Sequence, residues 1–169
     1  LRPEVLSYRQ SPEFRDGDYI LGYMLNAGFA EEVKAWHAKN PSVPLRFFWD
    51  NAAEAPVKVV DDTLSFYYLD DKEFLRQMAG CMAYASTAGF ESICEAMYLG
   101  KPLMMVPSHI EQKCNAYDAT RFDAAVESET FDLDVLLSFA RDGKFRRDEG
   151  FPAWALSSAE VFAKELESM

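Results

Sequence analysis

Residues 82–116 read MAYASTAGFESICEAMYLGKPLMMVPSHIEQKCNA. MAYAST (82–87) is a short run of small and apolar residues, as a strand buried on both faces requires. Gly89 then opens a helix that runs through Leu99 and stops at Gly100, the residue type that most readily takes the left-handed helix-ending conformation. KPLMMVPS (101–108) is a second strand, and EQKCNAYDATRF (111–122) a second helix with Cys114, Tyr117 and Arg121 among its inward or snorkelling positions. A strand, helix, strand, helix alternation with short joints builds a parallel sheet covered by helices.

The same alternation extends outward in both directions. YILGYML (19–25) is a continuous apolar run, and after Asn26–Gly28 the residues Phe29, Val33 and Trp36 recur at spacings of four and three, one face of a helix that stops before Pro41. PLRFFWDN (44–51) is the next strand, followed by two short ones, VKVV (57–60) and LSFYYL (64–69), whose pairing the pattern leaves open. Asp70 or Asp71 caps a helix carrying Phe74, Leu75 and Met78. VESETF (126–131) reads as an edge strand, Asp132 as the cap of a helix over DVLLSFAR, Asp142–Gly143 as a turn, and 152–168 as a closing helix with Trp154, Phe162 and Leu166 on one side. Residues 1–17 form a polar, proline-bearing lead. The expected fold is one α/β domain over 1–169, a Rossmann-like doubly wound parallel sheet of five or six strands. Ligands of such sheets sit beyond the carboxyl ends of the strands where the strand order reverses.

Composition narrows the function. Of 169 residues, 49% are apolar and 14% aromatic, enough to fill a core, while 28 acids against 17 bases leave a net charge of −11. That sign disfavours nucleic acid and anionic membrane as general partners. The longest apolar runs fall far short of the roughly 20 residues of a membrane helix. Cys81, Cys94 and Cys114 are odd in number and widely spaced, which argues against a disulfide framework and a zinc ribbon; they read as small core residues of a protein in the reducing cytoplasm. Residues 86–116 hold only three carboxylates, Glu91, Glu95 and Glu111, against Lys101 and Lys113, so a small anion can approach there despite the overall acidity.

Two helix starts thus share one sheet edge. At the first, the amides of Ala88, Gly89 and Phe90 can meet a phosphate, the bare Gly89 permits close approach, and Ser92 adds a hydroxyl. Glu95 lies one turn on, on the same face as Glu91 and Ser92, where a carboxylate can take both hydroxyls of a ribose. At the second, Glu111 and Gln112 suit sugar hydroxyls, with Asn115 a turn further. Each residue has a plainer reading: Gly89 as a tight turn, Glu95 as a solvated helix residue, Ser92, Glu111 and Asn115 as first-turn polar groups. His109 beside this edge suits either a ligand contact or a surface loop, and His37 reads as exposed. Two histidines without carboxylates at ligand spacing make no zinc site.

The stretch from Thr87 to Ala116 resembles the donor-binding region of GT-B glycosyltransferases that use nucleotide sugars, among them the UDP-glycosyltransferases and the enzyme that adds GlcNAc to the peptidoglycan lipid intermediate. Gly89, Ser92, Glu95, Gly100 and Pro102 fall at that family's glycine, hydroxyl, acid and Gly-x-Pro positions, and Pro107, Glu111, Gln112, Asn115 and Ala116 at those of the following strand and helix. The resemblance implies that Gly89, Phe90 and neighbouring amides hold a diphosphate with Thr87 and Ser92, that Glu95 holds the ribose, and that Glu111 and Gln112 read the donor sugar, with Asn115 beside them. Thr87 stands where many members carry a histidine, and Glu91 where an asparagine is common. The resemblance further implies a hexosyl transfer from a UDP sugar, and an acceptor-binding N-terminal domain, supplying the catalytic base, that is absent from this chain. On that reading no catalytic residue lies here and the chain alone is inactive. The alternatives are a GT-B-fold epimerase and a non-catalytic nucleotide-binding module.

 The implied transfer inverts the anomeric centre and needs neither cofactor nor metal.

Overall fold

The computed structural model describes residues 1–11, 16–121 and 123–168. The expected lead therefore includes four residues, 12–15, that lie outside the described part, as does Phe122 at the expected end of the 111–122 helix. The elements run α1 (Pro3–Tyr8), β1 (Ile20–Met24), a 3-10 turn (Ala27–Phe29), α2 (Ala30–His37), β2 (Leu45–Trp49), β3 (Val57–Val59), β4 (Leu64–Tyr68), α3 (Asp71–Gly80), β5 (Ala83–Ser86), α4 (Phe90–Leu99), β6 (Leu103–Met105), α5 (Ile110–Thr120), β7 (Ala125–Glu127), α6 (Leu133–Arg141) and α7 (Gly150–Glu167). The strands form one sheet in the order β3-β4-β2-β1-β5-β6-β7. Every pairing is parallel except that of β3 with β4, so the two short strands left unpaired by the sequence are an antiparallel hairpin whose second strand joins β2. The sheet has seven strands rather than five or six; the segments read as VKVV and VESETF both form strands, each a three-residue edge.

The two faces of the sheet bury alternate residues, the period of an extended chain. Leu21, Phe48 and Tyr84 face a cluster with Phe74, Leu75, Ile93 and Ala96 under α3 and α4, whereas Ile20, Phe47 and Phe66 face Val33, Trp36, Leu133 and Leu136 under α2 and α6. In β1 the pairing sets Gly22 against Phe47, and a Cβ on Gly22 would lie 2.0 Å from the Phe47 ring, so only glycine fits. Helix α4 ends as expected on Gly100, at φ 70° and ψ 39°.

Several expectations change. The lead is not wholly irregular: Pro3 starts α1, whose Val5 is fully buried in the cluster under α3 and α4. His37 is buried rather than exposed, its Nε2 3.0 Å from Asp61 Oδ2 beneath the β3–β4 hairpin. Of the cysteines only Cys81 is a core residue; Cys94 is half-buried and Cys114 exposed. Helix α5 packs through Gln112, Ala116 and Ala119, so Tyr117 and Cys114 point outward. On α7 only Pro152 is buried, and Trp154, Phe162 and Leu166 are exposed. No helix among the described residues is long and apolar enough to cross a membrane.

Candidate functional site

Strand order reverses between β1 and β5, whose chains continue to opposite sides of the sheet. The carboxyl ends of these two strands are tied together: Thr87 N–H donates to Tyr23 O at 3.2 Å, and Leu25 N–H donates to Thr87 Oγ1 at 3.3 Å. Thr87 is thereby buried and forms the floor of the junction. Ala88 follows with φ 64°, a left-handed conformation that costs an alanine about 1 kcal/mol or more. Its N–H donates to Ser86 Oγ at 3.2 Å and its carbonyl accepts from Asn115 Nδ2 at 3.0 Å, so α5 holds the turn that launches α4.

Gly89, the residue before α4, has φ −66° and ψ 129°, which any residue adopts, and a Cβ there would meet only Ser92 Oγ, at 3.8 Å. Neither backbone nor packing requires glycine. The plainer reading of Gly89 as a turn-forming glycine thus loses its physical basis, because the strained position is Ala88. Ser92 donates its hydroxyl to Gly89 O at 3.1 Å.

Among the described residues, neither Gly89 before α4 nor His109 before α5 caps its helix with a side chain. At α5 the Gln112 side chain turns back instead, its Oε1 accepting from Ser108 N at 2.8 Å and Ser108 Oγ at 2.9 Å, and Gln112 is buried. Glu111, His109 and Ile110 stay exposed at this helix start. Beside α4 lies a cavity of about 250 Å³ lined by Tyr23, Leu69 and Phe74 on one side and by Gly89, Phe90 and Ser92 on the other, with Arg2, Asp71 and Glu91 at its rim. Burial, with a smaller contribution from the Asp50 charge, pushes the Tyr23 hydroxyl above its ordinary range, so it enters the cavity as a neutral donor.

Of the eight residues singled out from the sequence, then, Gly89, Phe90 and Ser92 line the cavity, Asn115 holds its turn, Glu111 is exposed on the neighbouring helix, and Thr87, Gln112 and Glu95 are buried. Glu95 is the surprise. Its carboxylate accepts from Arg2 Nε at 2.7 Å on one oxygen and from Arg2 Nη2 at 2.6 Å on the other, a two-pronged pair that leaves Glu95 no exposed surface. That hydrogen-bonded pairing, outweighing desolvation, raises the Arg2 guanidinium above its already high range, so it stays charged. Sequence reading missed Arg2 because nothing local marks an arginine 93 residues from its partner. Among the described residues, no three His, Cys, Asp or Glu side chains are grouped to hold a metal ion.

A family model described as glycosyl transferase family 1 matches residues 1–142. No curated protein matches the chain. Among solved structures, a glycotransferase of kitacinnamycin matches with a TM-score of 0.65 at 14% identity, over 92% of this chain and 44% of its own. SnogD from Streptomyces nogalater matches at 0.59 and 13%, over 80% of this chain and 38% of its own. Arabidopsis thaliana UGT89C1 complexed with UDP matches at 0.56 and 18%, over 90% and 41%. The chain therefore spans less than half the length of these enzymes and shares their fold. With its sheet order, its two uncapped helix starts and the match over residues 1–142, the chain belongs to glycosyl transferase family 1 and has the Rossmann-like architecture of the GT-B glycosyltransferases.

Proposed function

We propose that the chain is the nucleotide-sugar-binding, C-terminal half of a GT-B glycosyltransferase that passes a hexosyl group from a UDP sugar to an acceptor. The reading is carried by the start of α4, where an uncapped helix, a glycine that the fold does not require and a cavity meet at the reversal of strand order. The amides of Gly89 and Phe90, with Ser92, face the diphosphate; Thr87 fixes the floor; Glu95 serves the nucleotide side; Glu111 and Gln112, with Asn115, border the donor sugar. UGT89C1 binds UDP and the spinosyn rhamnosyltransferase SpnG binds thymidine diphosphate, and both support a pyrimidine nucleoside diphosphate as the ligand class.

In the reaction the site holds the sugar's anomeric carbon in place and stabilises the departing diphosphate with fixed N–H dipoles, so charge development meets a preorganised field. No cofactor or metal enters this scheme. The acceptor and the base that deprotonates it belong to a second domain, which fits the 38–44% coverage of the solved enzymes, and attack from that side inverts the anomeric centre. The cytoplasm, where sugar nucleotides and free thiols coexist, is the proposed location. Calorimetric titration of the chain with UDP at millimolar concentrations tests the reading: saturable binding that weakens in Glu95→Ala is expected, and a flat titration of the folded protein overturns it.

A further inference from the structure

The ligand-facing cation of this cavity comes from the amino-terminal segment, not from the motif. Arg2 lines the cavity and Glu95 does not: the Arg2 side chain is 22% exposed and that of Glu95 0%. A guanidinium has five N–H groups in one plane. Two are spent on Glu95, and a third faces Asp71 Oδ1 at a long 3.4 Å, which leaves two without an acceptor among the described residues, on a side chain that lines the same cavity as Gly89 and Phe90. The Phe74 ring, 5.8 Å from Arg2 Cζ, supports the guanidinium. A planar donor fork held by a buried carboxylate is the arrangement that recognises phosphate oxygens, and its rigidity removes much of the ordering cost of binding. The acids that oppose an anion, Asp71 and Glu91 at 4.0 Å from Nε, are both exposed and screened.

Resting on the donor reading above, we propose that Arg2 is a donor-binding residue that pairs with a phosphate of the nucleoside diphosphate, and that Glu95 is the positioning residue that aims it.

The test is ligand-observed NMR titration of the chain with UDP and with uridine, alongside thermal melting. Because Arg2→Ala leaves a buried carboxylate unpaired and can unfold the chain, the paired variant Arg2→Ala/Glu95→Gln, which removes both charges, is measured with Glu95→Gln and Arg2→Lys. The paired variant is expected to lose about tenfold to a hundredfold in UDP affinity, the range of a charge-assisted hydrogen bond, and to change far less for uridine. Arg2→Lys retains the charge without the fork and recovers part of the loss. Glu95→Gln alone shows a smaller loss, confined like that of the paired variant to the phosphate-bearing ligand. Equal losses for UDP and uridine, or a folded paired variant that binds UDP as tightly as the native chain or more tightly, overturn the assignment; the last result makes Arg2 a plug over Glu95. A native chain that binds no UDP overturns the donor reading itself and this assignment with it.

Discussion

The longer helices of this molecule begin in two ways. The 3-10 turn before α2 is closed by Asn26, whose side chain accepts from Gly28 N, α3 by Asp70 from Glu73 N, α6 by Asp132 from Asp134 N, and α7 by Asp148 from Gly150 N and Phe151 N. α4 and α5 have no such side chain. Closing a helix with its own side chain contributes about 1 kcal/mol, and both open starts stand at the carboxyl edge beside the strand reversal. On the proposed reading, the difference separates helices that only hold the sheet from helices whose first amides are open to the nucleotide. It also separates α4, which opens on a cavity, from α5, whose Gln112 has turned back on Ser108.

Substitutions on the two kinds of start should therefore act on different quantities. Gly89→Val is expected to give the largest effect, a loss of tenfold or more in UDP affinity by titration, with a melting temperature changed by less than about 2 °C, since the position has ordinary φ and open space. A large drop in melting temperature would return Gly89 to a structural role. Asn115→Ala, which leaves the Ala88 carbonyl without its donor, is expected to cost about 1 kcal/mol in denaturant unfolding and to weaken UDP severalfold. Asp132→Ala should cost about the same stability through its lost cap while leaving UDP affinity unchanged, and a loss of affinity there would erase the distinction. Glu91→Gln, which removes an exposed anion from the cavity rim, should tighten UDP by no more than about threefold, an effect that fades in high salt.

The smallest effect lies far from the site. The backbone hydrogen bond from Thr63, together with those from the His37 side chain and the Leu64 backbone, lowers the Asp61 carboxyl from 3.8 to about 2. A depressed carboxyl contributes stability above its unfolded value that is lost as pH falls through the folded one, so the contribution disappears between about pH 4 and 2. Asp61→Asn should flatten that part of an acid-unfolding curve and leave nucleotide binding at neutral pH untouched.

What the sequence revealed and what it concealed divide along the range of the interactions. β1, β5 and β6 are legible because each is buried on both faces and reads as a run of small and apolar residues, and β2 because only Arg46 interrupts its apolar run. The end of α4 is legible because a left-handed residue there calls for glycine, and Asp70 and Asp132 because caps are chosen by neighbours two or three residues away. The helix α1 escaped notice because six residues with one buried side chain make no periodic stripe; it is held by docking on α3 and α4. His37 escaped because Asp61 and Thr63 reach it only after the β3–β4 hairpin has folded back. Gly89, Phe90 and Ser92, close together in the motif, share one cavity, but the partner of Glu95 lies 93 residues away in sequence, where no local pattern points to it.

The bond from Asn115 to the Ala88 carbonyl has a dynamic consequence. Ala88 sits in a left-handed well that this bond helps to hold, so the turn before α4 and the part of α5 around Asn115 are expected to open together. Amide hydrogen exchange at the start of α4 and around Asn115 in α5 should slow together when a nucleotide binds, and speed up together when that single side-chain contact is removed.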